Sequence, residues 1–296
     1  MRVTLLFFGY LLVCFALAAV LTVPLMHAGW LDVPPHRLMA RLAQLFMLLG
    51  CVPLLWALGL WCRATLGYAV PRFDLTRALA GGWLLGVGMM SVVVALLLGC
   101  GARVWSASWP TALAAAIASM PAALLGGGLI ALIEETFFRG ALFGAIRRHG
   151  GLMAAAGWSA CLYASVHFLK PRALPVADAF DSGDAFEMFV SAFTAAWQWH
   201  HLDSWLALLL AGLLLAAVRE RTGHLGWCIG LHAGWVFVIQ IARRLTDGND
   251  TSPWRWFAGD YDGVIGLLAA AWLGVLLLAF WMRPGPARLF SSSRRG

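Results

Sequence analysis

Runs of apolar residues long enough to cross a bilayer constrain this chain more than any other feature. A helical crossing of the hydrocarbon core takes roughly 20 apolar residues. About eight windows approach that length, at approximately 3–26, 38–61, 79–101, 113–146, 151–169, 204–219, 225–242 and 263–282. Apolar residues make up 61% of the 296 positions and charged residues 12%, with sixteen tryptophans, which lies outside the range of soluble domains. The expected fold class is all-α, a polytopic membrane helical bundle of about eight transmembrane helices plus an interfacial helix.

The interfacial helix is expected in the longest connection, 170–203. There Asp184 and Glu187 make a capping pair, and Phe186, Phe189, Val190, Phe193 and Trp197 recur at helical spacing after Pro171 and Pro175. The other long connection, 246–262, is polar, contains tryptophan and belongs at the same surface. With both termini cytoplasmic, the inner segments hold twelve arginines, from Arg2 to Arg294 and Arg295, and the outer segments hold eight lysines and arginines. That bias favours this orientation. It also accounts for the net charge of +7 without a nucleic-acid partner, since no basic run is interleaved with aromatics on a soluble module. The first window offers no small-x-small cleavage site and reads as a retained helix. The six cysteines sit in or beside apolar windows with no C-x-x-C, so neither a disulfide framework nor a thiolate metal site is expected. The chain divides into N-terminal helices (1–110), a core (111–245), and an outer loop, last helix and basic tail (246–296).

Within this apolar chain, "EETFFRGALFG" at 134–144 places two carboxylates and a guanidinium on one helix. Charges inside a membrane helix cost about 2.5 kcal/mol or more each and so face a polar interior with partners. Glu135 and Arg139, at i and i+4, form an intrahelical ion pair. Glu134 is turned about 100° away and needs another partner. The "RRHGG" at 147–151 closes one helix and opens the next, predicting an antiparallel hairpin. Glu134 lies 17 residues before Gly151 and His167 lies 16 after it, so the two share a depth. A carboxylate facing an imidazole can deprotonate a bound water. His232 lies between Gly230 and Gly234, which permit close helix approach. Yet it is only about 9 Å past Gly226, whereas His167 is about 24 Å beyond the hairpin turn. They meet only if the fourth and fifth helices project beyond the inner side, or if the seventh is broken. Gly126, Gly127 and Gly128 are expected to support small-residue packing. His200 and His201 look interfacial, and His149 and His224 sit in turns.

The bland readings are a structural ion pair for Glu135 and Arg139 and satisfied core histidines for His167 and His232. The matched depth of Glu134 and His167 favours a shared site.

These residues resemble the CPBP family of membrane proteins (CAAX proteases and bacteriocin-processing enzymes, also called the type II CAAX prenyl endopeptidase or ABI group). The family's E-E-x-x-x-R, F-x-x-x-H and H-x-x-x-N motifs look like "EETFFR" at 134–139, "YASVH" at 163–167 and "HAGWV" at 232–236. Tyr163 stands where phenylalanine is usual, and Val236 where asparagine is usual. The resemblance implies an intramembrane peptidase in a bacterial inner membrane. Glu134 would be the general base and His167 would hold the water. His232 would stabilise the oxyanion, supported by Glu135 and Arg139. With Val236 unable to donate, Gln240 is the substitute donor expected from the sequence. The implied partners are membrane lipid and a membrane-associated peptide or protein, with no cofactor. The runner-up is zinc held by Glu134, His167 and His232. Two competing functions are a scaffold of the same superfamily that has lost catalysis, which Val236 favours, and an ion-coupled transporter, which the absence of a visible repeat disfavours.

Overall fold

The computed structural model describes residues 2–174, 180–194 and 198–283. Helices α1 (Arg2–Ala28) and α2 (Pro35–Ala57) pack together, and a short α3 (Arg63–Leu66) leads to α4 (Arg72–Gly99). After β1 (Arg103–Trp105), α5 (Trp109–Glu135) continues through a π-helical segment (Thr136–Leu142) into α6 (Phe143–His149). Then come α7 (Leu152–Val166), α8 (Ser182–Thr194), α9 (Leu202–Thr222), α10 (Gly226–Leu245), β2 (Thr246–Gly248) and α11 (Leu267–Met282).

Every apolar window coincides with a helix. Among the described residues, five stretches are long and apolar enough to cross a membrane: Leu5–Ala28, Pro35–Ala57, Arg72–Gly99, Trp109–Arg148 and Trp199–Thr222. The apolar α7 and α11 are shorter, at 15 and 16 residues. Their windows ran longer because apolar loop residues, 167–169 and 263–266, flank them and were counted in. The chain is not helical throughout. Strands β1 and β2 form a short antiparallel ladder pairing Arg103 with Gly248 and Trp105 with Thr246. The buried Arg103 fastens it, its Nε donating to Thr246 Oγ1 at 2.7 Å and its Nη1 to the Gly263 carbonyl at 2.7 Å.

The centre of the bundle is the crossing of α4 and α10, built on glycine. A Cβ at Gly86 would lie 2.3 Å from the Leu231 carbonyl oxygen, one at Gly230 2.4 Å from that of Leu79, and one at Gly234 2.5 Å from that of Trp83. Backbone thus meets backbone, which is how small residues hold membrane helices together. Of the three glycines expected to pack on α5, Gly127 alone does so closely, beside the Ala233 carbonyl, while Gly128 meets nothing within 4 Å. Gly86→Ala is expected to lower stability by at least about 1–3 kcal/mol, because a backbone oxygen cannot move aside as a side chain can. Gly88→Ala on the same helix, with open space around it, is the neutral control. Thermal unfolding in detergent compares the two.

Helix α8 lies against α1 through Ala185, Met188 and Ala192, leaving Phe186 66% exposed and Val190 exposed as well. Its apolar face is thus split between the protein and its surroundings. The cap lies one turn earlier than the sequence spacing predicts. The Asp184 N–H donates to Asp181 Oδ1 and the Asp181 N–H donates to Asp184 Oδ2, a reciprocal capping box. Pro175 and Trp197 lie outside the described residues, as do Arg288, Arg294 and Arg295 of the tail.

Candidate active site

Three helices deliver the ionisable groups to one place. Glu134 and Glu135 end α5, His167 follows the last residue of α7, and His232 lies in the second turn of α10. Glu135 and Arg139 are both 0% exposed and paired, with Arg139 Nη1 donating to Glu135 Oε1 at 2.9 Å. The guanidinium also sits 4.2 Å above the Tyr163 ring. Such a contact offsets part of its desolvation. The same Glu135 oxygen accepts a hydrogen bond from His232 Nδ1 at 2.8 Å. One buried carboxylate thereby orients both a guanidinium and an imidazole.

Glu134 faces the other way. Its Oε2 lies 3.8 Å from His167 Nε2 and 3.9 Å from His232 Nε2, and it has no hydrogen-bond partner among the described residues although that atom is buried. The ring of His167 is fixed from behind, with Nδ1–H donating to the Tyr163 carbonyl at 2.7 Å. A carbonyl can only accept, so the Nε2 of neutral His167 presents a lone pair towards Glu134. Both histidine rings are thus anchored at Nδ1 and turn Nε2 to the same carboxylate oxygen.

The hairpin register places Glu134 beside His167 as the residue count predicts. The depth conflict with His232 is resolved by projection: α10 runs unbroken from Gly226 to Leu245, and the two turns lie at different levels. Gly140, not the hairpin turn, is level with the start of α10, since a Cβ there would meet Leu225 Cδ1 at 3.4 Å. The ten residues from Gly140 to Gly150 carry the hairpin roughly 15 Å further.

The three groups open into a cavity of about 350 Å³, also lined by Tyr163, Val236, Gln240, Lys170, Arg243, Tyr261 and Asp262. Gln240 is not brought to the Glu134 centre. It lies eight residues past His232, about 12 Å along the helix axis, with its amide 3.8 Å from where a Gly126 Cβ would be. At the mouth, Lys170 Nζ stacks on the Tyr261 ring at 4.0 Å. Burial lowers the Lys170 pKa, with Asp262 opposing and Arg243 adding to the shift. Burial raises the Tyr261 phenol, and Asp262 and Glu134 add to the rise. No sequence pattern singled out Tyr261, Lys170, Arg243 or Asp262. Three of them come from loops whose course a helical count does not give, and Arg243 reads from sequence as an ordinary flank charge. Of the remaining histidines, His201 packs on Phe168 at 5.1 Å, and His224 Nδ1 accepts from the Gly226 N–H at the start of α10. A larger apolar groove of about 510 Å³ between α7, α9 and α11 contains none of the site groups.

Two imidazoles and a carboxylate are also the donor types of a catalytic zinc. Donors about 2.0–2.1 Å from a tetrahedral ion stand roughly 3.3 Å apart, shorter than the 3.8 and 3.9 Å found here. Among the described residues no three His, Cys, Asp or Glu side chains are placed to hold a metal ion. A water donating hydrogen bonds of about 2.8 Å to both sides sets them roughly 4.4 Å apart, so the observed spacing falls between the two arrangements.

The helical bundle brings an E-E-x-x-x-R helix and two further histidine-bearing helices together around one polar cavity, the arrangement that its sequence motifs share with CAAX-protease-type proteins. Residues 114–238, which contain Glu134, Glu135, Arg139, His167 and His232, match the family described as type II CAAX prenyl endopeptidase Rce1-like. No curated protein and no solved structure matches it.

Proposed function

We propose that the chain is an intramembrane endopeptidase hydrolysing a peptide bond of a membrane-associated protein or peptide with a water activated by Glu134 and His167. The observation that carries this reading is the unpartnered Glu134 oxygen, equidistant from two imidazole nitrogens. A buried acceptor left without a protein partner calls for a water or a ligand.

In this mechanism the water gives one hydrogen to Glu134 Oε2 and the other to His167 Nε2, leaving an oxygen lone pair for the substrate. Glu134 takes the proton as the water oxygen bonds to the carbonyl carbon, and the carbonyl π pair moves onto its oxygen. His232 donates from Nε2 to that oxyanion, a role that requires a proton on Nε2 as well as the one Nδ1 gives to Glu135. The intermediate collapses as the C–N bond breaks, and protonated Glu134 returns its proton to the leaving nitrogen. The apolar side chains in the cavity wall lower the local polarity around these groups, which strengthens each of these interactions.

The reading is tested by reconstituting the full chain in phospholipid vesicles with a quenched, prenylated C-a-a-X peptide, the substrate class in the family's name. Wild-type protein is expected to cleave it, and His167→Ala to be slower by about 10²-fold or more. A strong chelator is expected to leave the rate unchanged. A wild-type protein that cuts neither this peptide nor other membrane peptides overturns the reading, and chelator inhibition reversed by zinc overturns the metal-free mechanism.

A further inference from the structure

We infer that the Tyr163 hydroxyl is the second oxyanion donor of this site, opposite His232. The inference rests on the peptidase reading above. Tyr163 is 2% exposed, and its hydroxyl makes no hydrogen bond among the described residues. A buried phenol ordinarily finds a partner. This hydroxyl is not sealed in protein, however, because the side chain lines the cavity shared by Glu134, His167 and His232.

Its position is fixed from several sides. The ring stands edge-on to Phe138 at 5.3 Å, to His167 at 4.6 Å and to His232 at 6.0 Å, with Arg139 4.2 Å from its centroid. The phenol therefore stands between both histidine rings in the cavity that Glu134 also lines, and it is a donor with no acceptor until substrate arrives.

The other donors in the neighbourhood are excluded one by one. Val236, one turn past His232 and also in the cavity wall, has nothing to donate. Trp235 also lines the cavity with an unpartnered indole N–H, but its ring meets His232 alone, at 6.4 Å, whereas Tyr163 stands against both histidines. Arg139, whose free nitrogens are buried, does not line the cavity. Gln240 is a further turn away, and Lys170 stacks on Tyr261 at the mouth. That leaves the phenol. An oxyanion accepts more than one hydrogen bond, and a neutral hydroxyl that donates without giving up its proton stabilises it with no change in the atoms exchanged.

The test uses the vesicle-reconstituted full chain and the quenched prenylated peptide, comparing wild type, Tyr163→Phe and Glu134→Gln. Tyr163→Phe keeps the ring and its packing and removes one oxygen. The expected result is a kcat lower by about 10²–10³-fold, the usual effect of losing one oxyanion donor. KM and the melting temperature are expected to stay at wild-type values, which assigns the loss to the transition state. A Tyr163→Phe kcat within about twofold of wild type, beside an inactive Glu134→Gln, overturns this inference and leaves the peptidase reading standing. A loss matched by a fall in melting temperature assigns the residue to packing and overturns it as well. Glu134→Gln as active as wild type overturns the reading and the inference together.

Discussion

Glu134→Gln is expected to abolish measurable cleavage, with kcat reduced by about 10²–10⁴-fold. Glutamine has the same size and can still hold a water, so what the variant loses is a site for the proton. The fold has little stake in that carboxylate. Glu134 makes no hydrogen bond to protein among the described residues, and its histidine neighbours stand 3.8 and 3.9 Å away. Each of those histidines is held at Nδ1 by something else, the Tyr163 carbonyl or Glu135. Unfolding of Glu134→Gln in detergent should therefore match wild type while cleavage is lost. Unchanged cleavage would make the residue a bystander. A destabilised variant would show that Glu134 belongs to the bundle's structure.

The adjacent carboxylate gives the opposite pattern. Arg139→Met is expected to cost about 3–5 kcal/mol of stability, because Glu135 is left as a wholly buried charge without its main partner. Glu135 has few alternatives. Its Oε1 already serves both Arg139 and His232, and its Oε2 has no hydrogen-bond partner among the described residues. The double variant Glu135→Gln/Arg139→Met removes both charges and is expected to recover part of the loss, since two apolar or neutral groups replace a broken ion pair. Denaturant unfolding of the two singles and the double closes the cycle. A single Arg139→Met as stable as wild type would show that water reaches Glu135. Its activity should fall too, since His232 is aimed by the same Glu135 oxygen.

The helices were legible in the sequence because apolar runs of bilayer length admit few other structures. The juxtaposition of Glu134 with His167 was also legible, since a hairpin equates two distances counted from one turn. The meeting with His232 could not be reached by counting, because the two turns of these helices lie at different levels, and that offset is set by packing between α10, α3 and the π-helical segment. Gly230 and Gly234 announced a close approach, but not that Gly82 and Gly86 of α4 would supply the other half. Asp184 suggested a cap, and the cap formed on Asp181, which offers the same carboxylate one turn earlier. The polar connection 246–262 reads as a surface loop, yet it holds Tyr261 over the cavity. Nothing in three residues such as Arg103–Trp105 announces a ladder, since the pairing partner is far along the chain.

The π-helical segment at Thr136–Leu142 gives one continuous rod two faces out of phase. Widening the hydrogen-bond step inserts about one residue without a matching turn, which displaces every later side chain by roughly 100° around the axis. Before the insertion the helix shows Glu134 and Glu135 to α7 and α10. Beyond it, Phe143, Ala145 and Ile146 turn into an apolar cluster with Phe7, Leu66 and Leu162. A regular helix of the same composition would carry a single stripe and would have to choose between chemistry and anchorage. This one assigns them to successive lengths of the same rod, so the segment that holds the Glu134 carboxylate is steadied by oily contacts lying around a corner from it.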